Sequence, residues 1–232
     1  MTLDTTMLLT LTDSALEGGS ALSAYAGQLA TMPISGSRRG TTDGMGATIV
    51  VVGSSPHEQK AMEQRSAALC STGDLLCRAN LLTLAARENA QRLVSLLHML
   101  GTNATLLDPV LYAPITRGHA LEAEPRLLHA KRFEQAALRG GVLVIAGGVG
   151  RTPEGETTSL GTGGAELTGL FIAQRLGLSA DLIVSERGTQ SLAGEFTLPK
   201  RASLFARKHG VSFGVRSSIE CESVVAGQPV PA

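Results

Sequence analysis

Residues 141–188 of the chain read GVLVIAGGVGRTPEGETTSLGTGGAELTGLFIAQRLGLSADLIVSERG. An apolar run at 142–146 ends in glycines, and a second glycine turn at 161–164 precedes apolar residues at helical spacing. A further apolar run occupies 181–184. The segment therefore predicts a strand, a glycine-rich loop, a helix and a second strand.

Glycine turns at strand ends let backbone N–H groups approach an anion, and the N-terminus of the following helix adds a favourable dipole. The same turns also occur in ordinary tight connections between a strand and a helix. Anion binding and plain packing are thus both open interpretations of these glycines. The candidate ligand-binding residues are Gly147, Gly148, Gly150, Gly161, Thr162, Gly163 and Gly164.

The run VIAGGVGRTPEGETTSLGTGGAE, residues 144–166, resembles the aspartokinase segment GFxGxTxxGxxTTLGRGGSD, which surrounds the phosphate site in that family. The resemblance implies the amino-acid-kinase fold, a three-layer α/β/α sandwich over a mostly parallel sheet. The length of 232 residues predicts a single domain over 1–232, and local composition predicts a flexible loop at 33–47 and a tail at 226–232. A weaker resemblance extends from about Leu8 to Val225.

Several family positions carry different residues here. The family Arg that helps to hold the substrate is replaced by Thr162, and the Ser and Asp of the polar network are replaced by Ala165 and Glu166. The family turn KFGGTS supplies a lysine and two glycines to the phosphate chain. Thr10 stands at the lysine, and Thr12 and Asp13 stand at the two glycines.

Two further positions complete the comparison with the family. Ser185 stands where the family has an Asp of the nucleotide and metal machinery, and the resemblance makes both Ser185 and Glu166 ligand-binding candidates. Asp74 follows a turn that resembles the family SxGE turn, whose acid helps to hold the substrate amino group. Asp74 is therefore a ligand-binding candidate, although an acid in the first turn of a helix is also stabilised by the helix dipole alone.

Local patterns add expectations about elements and cysteines. Residues 12–14 are candidate caps of a helix after the first strand, and the pair His57-Glu58 is expected in a surface loop. The leucine-rich helix from 75 to 100 is expected to include a junction near Glu88-Asn89. Buried free thiols are the favoured interpretation of Cys70 and Cys77.

Composition restricts the possible partners. The chain has 20 acidic and 20 basic residues and no long apolar run, so we expect no nucleic-acid or membrane partner. The first residues lack the basic cluster of a signal peptide, which predicts a cytoplasmic protein. The family resemblance and the leucine-rich helix predict a homodimer.

Two functions are consistent with these residues. The first is a pseudokinase, a catalytically degenerate aspartokinase-like protein that acts as a small-ligand-binding or non-catalytic subunit, with a catalytic partner subunit as one option. The second is a diverged enzyme on an amino-acid-like substrate, either a residual ATP-dependent carboxylate kinase or a fold reused for other chemistry. ATP and Mg²⁺ are the cofactors that the family implies, but the substitutions remove charges that phosphoryl transfer requires, and no metal ligands are assigned.

Overall fold

The computed structural model describes residues 6–32, 47–71, 73–184 and 197–217. The predicted loop at 33–46, Ser185, Cys221 and the tail at 226–232 lie outside these described residues. None of the described helices is long and apolar enough to cross a membrane.

A six-stranded sheet forms the centre of the molecule, and every strand pair in it is parallel. Its strand order is β10-β9-β1-β2-β6-β3. The strands are β1 (Met7–Leu11), β2 (Ala47–Val52), β3 (Ala104–Leu106), β6 (Gly141–Ala146), β9 (Ala180–Ile183) and β10 (Phe213–Arg216). The prediction that 142–146, 47–52 and 181–184 are buried segments at this sheet is confirmed.

Strands β2 and β6 are buried along their whole length, as expected for a parallel sheet covered on both faces. Successive side chains point to opposite faces, so Leu9 and Val50 enter one apolar cluster while Leu8 and Ile49 enter the other. The apolar runs in the sequence are near-continuous because both faces of each strand need apolar side chains.

Helices cover the two faces. Helices α1 (Ala21–Thr31) and α3 (Leu75–Met99) pack on one face, and α5 (Ala130–Ala137), α6 (Gly164–Leu176) and α7 (Lys200–His209) pack on the other. The molecule therefore has the predicted α/β/α layers. Two further helices, α2 (Pro56–Leu69) and α4 (Pro109–Tyr112), and a small sheet in the order β5-β4-β7-β8 complete the described elements. The small sheet consists of β4 (Ile115–Arg117), β5 (Glu124–Leu127), β7 (Val149–Arg151) and β8 (Thr157–Ser159).

The expectation of a surface loop at His57-Glu58 is wrong, because both residues lie in the first turn of α2. Ser55 and Glu58 form a reciprocal capping box: the Ser55 hydroxyl accepts the Glu58 N–H, and the Glu58 carboxylate accepts the Ser55 N–H at 2.8 Å. Pro56 at the first helical position strengthens the same start signal.

The predicted junction at Glu88-Asn89 is also wrong, since α3 is continuous over 25 residues. Asn89 is 4% exposed, and its side-chain amide donates to the Gly53 carbonyl and to the Glu58 carboxylate at 3.0 Å. Asn89, which we expected at a helix junction, instead connects the middle of α3 to the end of β2 and the start of α2 by these two hydrogen bonds.

Of the candidate caps at 12–14, the Thr12 hydroxyl accepts the Ala15 N–H at 3.4 Å, but the element that follows β1 is not the predicted α-helix. Residues 14–16 form a short 3₁₀ helix, and α1 begins only at Ala21 without a side-chain cap. The Asp13 carboxylate is directed to Ser54 instead.

Cys70 and Cys77 form a disulfide, with 6.2 Å between their Cα atoms. Both residues are half-buried, so the interpretation as buried free thiols is wrong. The bond joins the end of α2 to the first turn of α3. The seven-residue spacing suggested one helix face, whereas a turn between two helices brings the thiols together.

Candidate active site

The candidate site lies where the carboxyl ends of β1, β2 and β6 meet. Strand β1 lies between β2 and β9, so the chain leaves β1 at the point where the strand order reverses. Ligands of open parallel sheets bind outside the strand ends at such a point. Hydrogen bonds fix the loops there: Gly53 N–H donates to the Leu11 carbonyl at 3.0 Å, and Gly147 N–H donates to the Val52 carbonyl at 2.8 Å.

The two predicted glycine turns pack directly on each other. A Cβ at Gly164 would lie 2.7 Å from the Gly148 Cα, and a Cβ at Gly147 would lie 2.8 Å from the Ala165 Cα. Such distances are too short for any residue larger than glycine without movement of the backbone. The start of α6 is thereby held against the end of β6.

Two N–H groups of these turns already have partners within the chain. Gly148 N–H donates to the Thr168 hydroxyl at 3.0 Å, and Gly161 N–H donates to the Ser159 hydroxyl at 3.1 Å. The Thr168 hydroxyl in turn donates to the Gly164 carbonyl at 2.7 Å. Satisfied donors of this kind leave less of the backbone available to a bound anion.

Asp13 follows β1 and places its carboxylate on the backbone of the next strand end. Its Oδ1 accepts the Ser54 N–H at 3.2 Å, and the Gln59 side chain also hydrogen-bonds to it. Glycine at position 53 leaves space for the Asp13 carboxylate, since a Cβ there would lie 2.5 Å from Oδ1. Burial raises the pKa of Asp13, its two hydrogen bonds lower it, and the nearby Glu58 charge raises it, with a net upward shift.

Glu166 lies in the first turn of α6 and is 4% exposed. Its carboxylate accepts the backbone N–H of Asp13, yet its Oε2 has no hydrogen-bond partner among the described residues. Burial, and after it the charge of Asp13, raise the pKa of Glu166 to about 8. At neutral pH this carboxyl group therefore holds a proton for most of the time.

A cavity of about 360 Å³ opens beside Asp13, and Ala165, the neighbour of Glu166 in the chain, also lines it. Its charged lining residues are Asp13, Glu63, Glu122 and Arg78. The Nε of Arg78 is buried and has no partner among the described residues. Arg201 lies close to Gly161, but it donates to the carbonyls of Leu160, Glu122 and Ala123 and so does not neutralise the carboxylates.

The structure gathers some of the candidate residues at the cavity and places others elsewhere. The candidates that line it are Asp13, Gly147, Gly148, Gly161, Thr162 and Gly164. Glu166 lies behind Asp13, Gly163 packs against Pro199, and Gly150 is buried against Thr116 and Thr158 in the small sheet. Thr12 is buried, and its hydroxyl donates to the Ile183 carbonyl at 2.7 Å.

Asp74 is exposed and lies outside the lining of the cavity. Its carboxylate accepts the Cys77 N–H at 2.9 Å, which makes it the N-cap of α3. Thr10 is fully buried against Gly169 of α6, and its hydroxyl has no partner among the described residues.

Sequence reasoning placed Ser54 at a strand end where ligands bind, but it missed Gln59, Glu63 and Arg78, which also line the cavity. The signal that could have found two of them is the capping box at Ser55. It starts a helix, and a helix from residue 56 puts Gln59 and Glu63 four residues apart on one face. Arg78 had no comparable signal, because its position depends on how α3 packs.

Comparison with models of protein families finds no match. Two aspartokinases of Thermus thermophilus are each 30% identical to the chain over 128 residues, a match that covers 44% of this chain and 32% of each relative. The match therefore spans about a third of the length of these curated relatives.

Solved structures extend the similarity to nearly the whole chain. Escherichia coli aspartokinase III in complex with aspartate and ADP has a TM-score of 0.67 at 13% identity, over 90% of this chain and 61% of that one. The aspartate kinase of Synechocystis also has a TM-score of 0.67, at 20% identity, over 98% of this chain and 40% of that one. An isopentenyl phosphate kinase has a TM-score of 0.58 at 13% identity, over 90% of both chains. The chain is thus similar in sequence to aspartokinases over part of its length and has the same fold as these solved kinases.

Proposed function

We propose that this protein is a catalytically degenerate relative of the kinases that share its fold, and that it binds a small amino-acid-like ligand without transferring phosphate. It would act as a ligand-binding or non-catalytic subunit. The observation that carries the proposal is the Asp13 carboxylate, which accepts the Ser54 N–H at the topological switch point. In this position the chain supplies its own anion to the strand end.

Charge at the strand ends opposes a bound nucleotide. Phosphoryl transfer depends on positioning and on neutralising the phosphate charge. Asp13 instead brings a carboxylate to this edge, Glu166 adds no positive charge, and Arg201 donates to backbone carbonyls. Repulsion between a carboxylate and a phosphate about 4 Å apart is of the order of 4 kcal/mol at an intermediate dielectric. Thr10, Thr162 and Ser185, which replace charged residues of the family, should weaken nucleotide binding further.

The cavity supports the ligand-binding part of the proposal. Its volume of about 360 Å³ is in the range of small-molecule sites. Arg78 offers a positive charge at one part of the lining, while Asp13 and Glu63 offer negative charges. A small ligand that carries both charges, such as an amino acid, matches this arrangement.

One observation favours the second candidate, an enzyme with reused chemistry. The raised pKa of Glu166, to about 8, would suit a group that takes up and releases protons near neutral pH. Incubation with a panel of amino acids, followed by NMR of the products, tests this. Conversion that is lost in Glu166→Gln would support the enzyme over the pseudokinase.

Self-association belongs to the same proposal. Leu84 of α3 is 39% exposed, and Val110 and Leu111 of α4 are 59% and 44% exposed. Sedimentation at micromolar concentration should give twice the chain mass of 24.0 kDa, and Leu84→Glu should shift the species toward the monomer. A monomer in the unaltered protein would refute the dimer without bearing on catalysis.

Aspartate-dependent release of ADP, measured in a coupled assay, tests the loss of kinase activity. We expect no turnover above the rate without aspartate, while an active aspartokinase run in parallel reports that the assay works. Turnover near about 1 s⁻¹, the low end of ordinary kinase rates, would contradict the proposal.

A further inference from the structure

Glu166 presents a buried oxygen without a partner at the candidate site. Its side chain is 4% exposed, and Oε2 has no hydrogen bond among the described residues. Buried polar atoms are nearly always hydrogen-bonded, so a donor from a ligand would be stabilised at this oxygen. A Cβ at Gly163 would lie 3.8 Å from Oε2, Pro199 packs against Gly163, and Asp13 lies beside the carboxylate.

Among the described residues, the groups that face the pair add negative charge and no positive charge. Asp13 donates its backbone N–H to Glu166, and its own carboxylate is approached by Glu58 and by the neutral side chain of Gln59. The ion pairs of the described residues are Arg126 with Glu124 and Arg216 with Asp181, so neither Asp13 nor Glu166 belongs to one. The two carboxyl groups therefore lie together without a counter-charge from the described part of the chain.

We propose that Asp13 and Glu166 form a subsite for a cationic group, specifically the protonated amine of a small ligand that enters through the cavity lined by Asp13 and Arg78. This rests on the proposed ligand-binding function and adds an orientation to it. The amine would lie at the strand ends, and any anionic group of the ligand would lie toward Arg78. The charge preference is opposite to that of a phosphate subsite.

An ammonium group suits this environment better than a divalent metal ion. It brings three donors to the two carboxylates and can bond directly to the free Oε2. Mg²⁺ requires a near-octahedral set of oxygens and gives up its water reluctantly. The flanking groups include Ala165 and Pro199, whose side chains offer no oxygen ligand.

Binding should be coupled to the proton of the pair. The cation takes the place of a proton on the carboxyl pair, which leaves to solvent, so amine binding should tighten as pH rises toward the pKa of Glu166 and then level off. Below that pKa the affinity should change by up to about tenfold per pH unit.

The probe for this subsite is n-butylamine, which is protonated near neutral pH, and its matched control is butyrate of the same chain length. Calorimetry and thermal shift with the full chain should detect butylammonium and not butyrate, and MgCl₂ should not replace the amine. Affinity should fall by about tenfold or more in both Glu166→Gln and Asp13→Asn, because each removes one charge of the pair. Glu134→Gln, which alters an exposed carboxylate of α5 outside the lining of the cavity, should change affinity by less than about twofold.

Carboxyl-carbon NMR of the unaltered protein provides a readout that does not depend on a variant. Butylamine should lower the titration midpoint of Glu166, since a bound cation favours the charged carboxylate. An unmoved midpoint, binding that Glu166→Gln leaves intact, or preferential stabilisation by butyrate or MgCl₂ would each overturn the subsite.

The two proposals fail separately. Aspartate-dependent release of ADP would contradict the proposed function whether or not the amine binds. Absence of amine binding in a protein without turnover would contradict only the cationic subsite.

Discussion

Asp13 shows how a single side chain changes the chemistry of a strand end. It stands at a position where the aspartokinase resemblance places a glycine, and its carboxylate takes the Ser54 N–H that an open turn would leave available. The substitution was visible in the sequence, and so was the charge that it adds. The contact with Glu166 was not, because residues 153 positions apart meet only through the packing of α6 on β1.

The shared proton of Asp13 and Glu166 predicts how stability depends on pH. Because the pKa of Glu166 is raised to about 8, the folded state binds a proton that the unfolded state releases near the ordinary value of 4.5. Stability should therefore fall as pH rises between these values, by up to about 1.4 kcal/mol per pH unit. Thermal unfolding from about pH 5.5 to about pH 8.5 measures this slope.

Glu166→Gln is the variant for that series, and Glu63→Gln is its control. The glutamine cannot ionise, so its curve should be flatter and it should be more stable than the unaltered protein at the alkaline end. A slope that persists in Glu166→Gln would assign the effect to other groups.

At the scale of elements, α6 depends on small residues where it crosses the sheet. A Cβ at Gly169 would overlap the hydroxyl of Thr10, whose side chain is fully buried in β1. Helix propensity alone favours alanine over an interior glycine by about 1 kcal/mol. Sequence reasoning identified α6 from its periodicity, but the reason for Gly169 became clear only when β1 was placed beneath it.

Gly169→Ala should destabilise the protein by about 1 to 3 kcal/mol, since overpacking outweighs helix propensity. Gly27→Ala in α1 is the matched control, because nothing lies within 4 Å of its Cβ position, and it should stabilise by up to about 1 kcal/mol. Denaturant unfolding measures both. Combining Gly169→Ala with Thr10→Ala should recover most of the loss, and equal effects of the two glycine substitutions would refute the contact.

The disulfide between α2 and α3 gives a second prediction at this scale. Closing so short a loop should stabilise the folded state by about 2 to 3 kcal/mol in the chain-entropy description. Cys70→Ser and Cys77→Ser should each lower the free energy of unfolding by about the same 2 to 3 kcal/mol. In either variant a reducing agent should no longer change the unfolding midpoint. Mass spectrometry of the unreduced protein should show one reactive thiol, and three would contradict the bond.

At the scale of the whole molecule, the apolar runs predicted the buried parallel strands, while the three α/β/α layers were implied by the resemblance to the aspartokinase segment. Each buried strand in such a sheet needs apolar side chains on both faces, and this requirement is visible in the sequence as a nearly continuous apolar run. The cavity left no such signal, because it is formed by α2 and α3 meeting the loops around Glu122 and Gly161. The packing of α2 and α3 places Arg78 and Asp13 in the lining of one cavity, and no local sequence pattern predicts that arrangement.

Calorimetric titration of MgATP into the purified chain measures whether the strand ends still accept a nucleotide. The Asp13 carboxylate, together with the uncharged Thr10 and Thr162, predicts no binding tighter than about 1 mM in the unaltered protein. Asp13→Gly, checked for folding by circular dichroism, should bind MgATP more tightly than the unaltered protein because it frees the Ser54 N–H and removes a charge. A dissociation constant below about 10 μM in the unaltered protein, unchanged by Asp13→Gly, would show that the Asp13 carboxylate does not exclude the nucleotide.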